Sequence, residues 1–279
     1  MRLNFKKYIL VTLAILFCSC SYAWGVIGHR VVGKIAQNHL NENALSKINE
    51  ITNGLSLADI SVWADEIKSD PDTKYKKFRT WHYIDANMNK GDAKTNIKYS
   101  KDNIISAIYR VTEELRLVHG VTSQDKFESL ALLVHLVGDI HQPLHVYDEH
   151  RGANNCYVNW FSPRFRTSLH KVWDSLLINN LKLSYTEYAE SLDHITAKKL
   201  LNIQNTDAID WANESKDLHS KIYPEATDKV RHSYCYTNKK DIKLPVLGYR
   251  YIYNNRKIVD ERLLYAGVRL AGVLNSIFA

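Results

Sequence analysis

Apolar and polar positions along this chain repeat mostly with the period of a helix. Residues 101–118 place Ile104, Ile105, Ile108, Val111 and Leu115 on one side, the stripe of an amphipathic helix. The same spacing predicts helices over 30–40, 43–51, 59–68, 169–181, 185–201, 208–219 and 256–278. Residues 76–89 are aromatic-rich and less periodic, which predicts an extended loop. Residues 148–166 carry Gly, Asn and alternating aromatics, and are expected to form a loop or a small hairpin. No Pro/Gly/Ser-rich linker, low-complexity tract or internal repeat interrupts the pattern. It predicts an all-α domain with a minor irregular or β part.

One stretch departs from this amphipathic rule. Residues 127–140 are apolar nearly all round, with Leu130, Leu132, Leu133, Val134, Leu136 and Val137, so this helix should be buried. Yet His135 and Asp139 sit in it four residues apart, on one face. Burying them without partners costs several kcal/mol. The helix should end ahead of Pro143, because the residue before a proline disfavours helical angles. His141 and His145 follow the break. A buried His/Asp face beside further histidines suggests a metal site; a hydrogen-bonded core pair is the rival reading.

The first 23 residues read as a secretory signal. Arg2, Lys6 and Lys7 precede an apolar run at 8–17 too short to span a bilayer, and Ser21-Tyr22-Ala23 offers a cleavage site. Lipidation at Cys20 is a poorer match. Cleavage after Ala23 would make Trp24 the mature N-terminus and 24–279 a single domain. Removing three basic residues from the net charge of +7 leaves +4, mildly basic and compatible with a polyanionic substrate. The expected address is secreted or periplasmic, with no membrane anchor and a monomeric state. Two of the four cysteines leave with the signal. Cys156 and Cys235 remain, and an oxidising compartment predicts that they pair.

Potential metal ligands recur through the mature chain. A free amine at Trp24 would be a good donor once deprotonated, its ordinary pKa being about 7.7–8.0. His29, Asp65, His82, His135, Asp139 and His145 follow, and His170 and Asp174 make a second pair at i, i+4. Imidazole and carboxylate suit zinc. Each pair alone is weak evidence, and the case rests on their number.

With these residues in view, the chain resembles the zinc-dependent single-strand-specific nucleases of fungi, plants and bacteria. The matching pieces are WGVIGH at 24–29, WAD, WHYID, LLVHLVGDIHQPLH, RGAN, LHKVWD, WANES and AGVRLAGVLN, in the family's order across essentially the whole mature chain. The resemblance implies a mainly α-helical fold of the phospholipase C/nuclease type and three zinc ions. Asp65, His82, His135 and Asp139 would hold the first. The Trp24 amine and carbonyl, His29 and Asp139 would hold the second, and His145, His170 and Asp174 the third. His141 would have a supporting role, and His39, His119, His150, His194, His219 and His232 would be surface or loop residues.

The resemblance further implies that Asp85 orients the attacking water or bonds a base edge, and that Lys68 neutralises phosphate. Tyr83 would stack on a base, a sequence-tolerant contact. Gly152 and Asn154 would border the base pocket, although Ala153 stands where the family has a second glycine, and a positive φ there would strain an alanine. The implied activity is endonucleolytic hydrolysis of RNA and single-stranded DNA to 5′-mononucleotides, with 3′-nucleotides left open as further substrates. A zinc phospholipase C on the same scaffold and a non-catalytic zinc-dependent binding protein are the alternatives.

Overall fold

Thr122 and Asp125 cap each other's backbone N–H groups, and the central helix starts there, running Ser123–Ile140. The computed structural model describes residues 24–85, 102–117, 119–147, 150–224, 234–235 and 243–279. The signal expected over 1–23 lies outside these residues, as does His232. From Ser129 to Ile140 every residue of the central helix is buried, as its apolar circumference predicts. The helix Ile104–Arg116 packs along it.

A second layer pairs the N-terminal helix Val26–Asn38 with the long C-terminal helix Tyr249–Ile277. Glycine lets them meet closely. A Cβ on Gly267 would lie 2.6 Å from Ile35 Cβ. On the N-terminal helix's other contact, a Cβ on Gly33 would lie 2.7 Å from the backbone of Leu57, in the short helix Leu57–Ile60. The apolar faces of these helices merge into one core, with Trp24, Trp173 and Tyr188 among its largest buried side chains. No helix among the described residues is long and apolar enough to cross a membrane.

Strand structure is minor. Ile84–Asp85 pairs in parallel with Val146–Tyr147, which draws the segment around His82 against that around His145. Tyr157–Trp160 is the middle strand of a three-stranded sheet, antiparallel to Arg166–Ser168 and parallel to Val246–Leu247. The hairpin reading of 148–166 thus holds in its second half. Cys156 and Cys235 are joined by a disulfide across 79 residues. Closing a loop of that length contributes on the order of 4 kcal/mol on the chain-entropy model.

Four elements differ from expectation. The helix expected over 59–68 breaks into Leu57–Ile60, Trp63–Glu66 and a 3-10 turn Ile67–Ser69. The break leaves the Ser61 carbonyl for His135. The helix expected over 185–201 is two helices, Tyr185–Leu192 and Ala197–Gln204. Asp193 between them bonds Asn38 and His39, and Thr196 caps the second helix. Residues 169–181 form a helix interrupted by a π turn, Val172–Leu176. The loop expected over 76–89 is a 3-10 helix, Thr73–Thr80, followed by the short strand, with 86–89 outside the described residues.

Candidate metal centre

The central helix presents His135 and Asp139 one turn apart, and each neighbouring element adds donors beside them. His29 comes from the N-terminal helix, Asp65 from the short helix Trp63–Glu66, and His82 from the turn before the first strand. His145 ends the 3-10 turn Pro143–His145, and His170 and Asp174 come from the helix with the π turn. Such turns occur often at functional sites. Three groups of donor atoms result: Asp65, His82 and His135; His29, His135 and Asp139; His145, His170 and Asp174. His135 belongs to two of them.

Hydrogen bonds fix which ring nitrogen faces inward. His135 Nδ1 donates to the Ser61 carbonyl at 2.7 Å, His145 Nδ1 to the His82 carbonyl at 2.6 Å, and His170 Nδ1 to the Gly152 carbonyl at 2.6 Å. A nitrogen that meets a carbonyl carries the proton, so each Nε2 offers a lone pair to its group. His82 enters through Nδ1, 2.8 Å from Asp139 Oδ2 and 3.1 Å from His135 Nε2.

The spacing fits a tetrahedral zinc. Ligands at 2.0–2.1 Å on a tetrahedron are about 3.3 Å apart. His29 Nε2 lies 3.3 Å from Asp139 Oδ1, His135 Nε2 lies 3.2 Å from Asp139 Oδ2, and His170 Nε2 lies 3.2 Å from Asp174 Oδ2. His135 Nε2 to Asp65 and His145 Nε2 to Asp174 are both 3.7 Å. His29 Nε2, Asp139 Oδ1 and His145 Nε2 are buried without a hydrogen-bond partner among the described residues. Buried polar atoms rarely go unsatisfied, and ligation of a metal would account for these. All the donors are nitrogen or oxygen, which zinc accepts.

Electrostatics agree with that fit except at His135. There burial pulls the imidazole down, but the charges of Asp139 and Asp65 outweigh it and raise its pKa, so that it must shed a proton to ligate. Burial, helped by the charge of His135, lowers His29 to about 4; burial and Lys68 lower His82 to about 4. Both are neutral ligands at neutral pH. Burial pushes Asp139 up, but His135 and His145 outweigh it and hold the carboxyl well below its usual range. Burial raises Asp174 to about 8 against the pull of His170. A metal at the third group must therefore displace a proton, and its affinity should strengthen as pH rises toward 8. Calorimetric zinc titration in buffers of different ionisation heat should register about one proton released there at neutral pH.

Gly138 gives a direct mutational handle. A Cβ at this position would lie 2.9 Å from His29 Nδ1 and 3.9 Å from Trp24 Cδ1. Alanine favours a helix by up to about 1 kcal/mol over glycine. Gly138→Ala is therefore expected to leave the helix intact while pushing the His29 ring off its group. Zinc content should fall by one and hydrolysis by about 10–100-fold. Unchanged zinc content would show that the ring moves aside at no cost.

Beside these groups opens a cleft of about 210 Å³ lined by His82, His145, His170 and by Lys68, Tyr83 and Asn154. Lys68 Nζ lies 2.5 Å from Asp65 Oδ1, so this cation borders both the metal groups and the cleft. Of Asp85 only the backbone is described, in the first strand. Gly152 sits in a turn where His150, Arg151, Gly152 and Ala153 all have φ between 53° and 61°. Left-handed angles cost about 1–2 kcal/mol for a non-glycine residue. This strained turn aims the Gly152 carbonyl at His170. His150 is buried within it beside the disulfide, so of the surface or loop placement expected for that histidine it takes the loop without the exposure.

The remaining histidines stand apart from the three groups. His141 is buried, donating from Nδ1 to the Val137 carbonyl and accepting at Nε2 from Arg269. Arg262 and Arg269 also hold Glu214 at 2.6 Å, so WANES and the C-terminal helix brace the turn after Asp139. His39 pairs with Asp193, His219 with the Pro143 carbonyl, and His119 and His194 are exposed. Three residues at the site carry no role of their own in the sequence reading. Gln142 Nε2 donates to Asp174 Oδ1 at 2.5 Å and its Oε1 accepts from Leu144 N, so it orients that carboxylate. Arg79 and Arg151 line the cleft. A buried glutamine between two histidines was the one signal available for Gln142.

Comparison with known proteins gives the same reading. The S1/P1 Nuclease family model matches residues 24–279. Endonuclease 3 of Arabidopsis thaliana is 30% identical over 92% of this chain and 89% of its own length. Nuclease S1 of Aspergillus oryzae is 28% identical over 92% of both, and Nuclease P1 of Penicillium citrinum 31% identical over 57% of this chain and 59% of its own. With its fold, its donor groups and a family match running from Trp24 to the last residue, the chain belongs to the S1/P1 nuclease family, hydrolases of phosphodiester bonds.

Proposed function

We propose that the chain is an exported nuclease with three zinc ions, made competent by cleavage after Ala23. Asp65, His82, His135 and Asp139 hold the first ion. The Trp24 amine and carbonyl, His29 and Asp139 hold the second, and His145, His170 and Asp174 the third. The observation that carries this reading is the convergence of three inward-facing donor groups at tetrahedral spacing beside one cationic cleft. The substrates are RNA and single-stranded DNA, cut to 5′-mononucleotides, with 3′-nucleotides as further substrates. The enzyme acts as a monomer.

When bound, the zinc ions supply hydroxide at neutral pH and positive charge for the phosphate and the leaving oxygen. The protein's own residues place the substrate. Lys68 meets the phosphate as a point charge, where an arginine would offer a planar fork. Tyr83 stacks an unpaired base, while Gly152 and Asn154 border it. Asp85 either orients the nucleophilic water or bonds a base edge.

A substrate panel on the protein beginning at Trp24, with and without chelator, tests this. Chelator-sensitive release of 5′-nucleotides from single strands is expected. Phosphocholine from lecithin would indicate the phospholipase C reading, and neither product would indicate a binding protein. A duplex must first expend a few kcal/mol to splay out a base, so a hairpin loop should be cut about 100-fold faster than its stem. Tyr83→Ala should weaken binding by roughly 1–3 kcal/mol. An unchanged Michaelis constant would make Tyr83 a packing residue.

A further inference from the structure

The segment before His82 reads Thr-Lys-Tyr-Lys-Lys-Phe-Arg-Thr over 73–80, with four cations and no carboxylate. It folds as a 3-10 helix, Thr73–Thr80, in which residues three apart share a face. That period sorts its cations into two rows.

Lys74 and Lys77 form one row. Lys74 is paired with Glu128 at 3.2 Å, and Lys77 shares a hollow with Asp125 and Glu128. Glu128 thus offsets Lys74, and Asp125 and Glu128 across the hollow offset part of the charge of Lys77. Lys76 and Arg79 form the other. Both are exposed, and neither has a carboxylate within ion-pair distance among the described residues. Asp70 and Asp72, at the start of the segment, are engaged in local backbone bonds, Asp70 Oδ1 to Asp72 N and Asp72 Oδ1 to Lys74 N.

The second row leads into the cleft. Arg79 lines it together with Lys68, Tyr83 and His82, and its Nη2 donates to the Lys68 carbonyl at 3.4 Å. Lys76 stands one 3-10 turn earlier on the same face and outside the cleft lining, about 6 Å along the axis. Positive charge thus continues along this face from the cleft with a spacing suited to successive phosphates.

We propose that Lys76 and Arg79 form a cationic rail that binds phosphates of the strand flanking the scissile one, so that the preferred substrate is a polynucleotide rather than a dinucleotide or mononucleotide. This rests on the nuclease reading of the cleft. Contacts of this kind are sequence-independent and salt-sensitive. For single strands each phosphate contact contributes about 0.7 to the slope of log affinity against log salt.

The test compares kcat/KM for a single-stranded oligonucleotide of about twelve nucleotides with that for a dinucleotide, across a salt titration. Chelator-sensitive dinucleotide hydrolysis by the unaltered enzyme checks the nuclease reading separately. The unaltered enzyme should favour the long strand. In the double variant Lys76→Ala/Arg79→Ala the long-to-short ratio should fall about tenfold, and the salt slope for the long strand should shrink by about 1.4. The charge-keeping pair Lys76→Arg/Arg79→Lys should retain most of both. Lys74→Ala/Lys77→Ala, on the face offset by carboxylates, should change neither. An unchanged ratio and slope in the first double variant would overturn the proposal, as would an equal effect from the Lys74/Lys77 variant.

Discussion

Asp139→Asn is expected to cost two of the three proposed zinc ions and to lower kcat at least about 1,000-fold. Asp139 stands between the group it forms with His29 and His135 and the group that His82 and His135 form with Asp65. Its oxygens lie 3.3 Å from His29 Nε2, 2.8 Å from His82 Nδ1 and 3.2 Å from His135 Nε2. An amide of the same shape keeps one oxygen, loses the charge, and turns an NH2 toward two imidazole lone pairs. It can satisfy those lone pairs while no longer bridging two cations. Changes to residues that merely orient ligands already cost about 10–100-fold, so losing a shared ligand should cost more. The fold should survive, because a buried charge has been removed together with the ions that balance it. Elemental analysis and circular dichroism on one preparation separate these effects. Three ions retained at full activity would remove Asp139 from the centre.

The second large effect is expected at the N-terminus. If the Trp24 amine is a ligand, one extra residue ahead of it converts an amine into an amide nitrogen, a very poor donor. A protein that keeps Met before Trp24 should then bind one zinc ion fewer and lose more than about 100-fold in hydrolysis, while its helical circular dichroism stays intact. Trp24 itself is fully buried, beside Gly28 and near Gly138, so its indole is a core group whatever its backbone does. A purely packing role would tolerate the extra residue. Full zinc and full activity in the extended protein would confine Trp24 to that role and leave His29 and Asp139 without their amine partner.

Much of this architecture was legible in the chain. The fully apolar circumference of 127–140 marked the buried central helix, and the interruption at Pro143 marked its end. His135 with Asp139, and His170 with Asp174, stood out because four-residue spacing places both members on one helix face. What stayed hidden were deviations from regular periods. Nothing in Ser61 announces that its carbonyl leaves the helical ladder to hold His135. The π turn around Asp174 and the left-handed turn at 150–153 likewise follow from tertiary demands on His170 rather than from local propensity. The grouping of donors was hidden as well, since His135 stands within reach of both Asp65 and His29 only once three helices converge. Arg79 gave no signal in the sequence because its row depends on a 3-10 period that an amphipathic scan does not test.

The most direct test of a trinuclear zinc centre serving single-strand hydrolysis is metal stoichiometry measured with activity. Protein purified with Trp24 as its first residue should contain three zinc ions per chain. Stepwise chelation should abolish hydrolysis of a single strand, and added zinc should restore it. Hydrolysis that persists in metal-free protein, or full activity with a single ion per chain, would contradict this account.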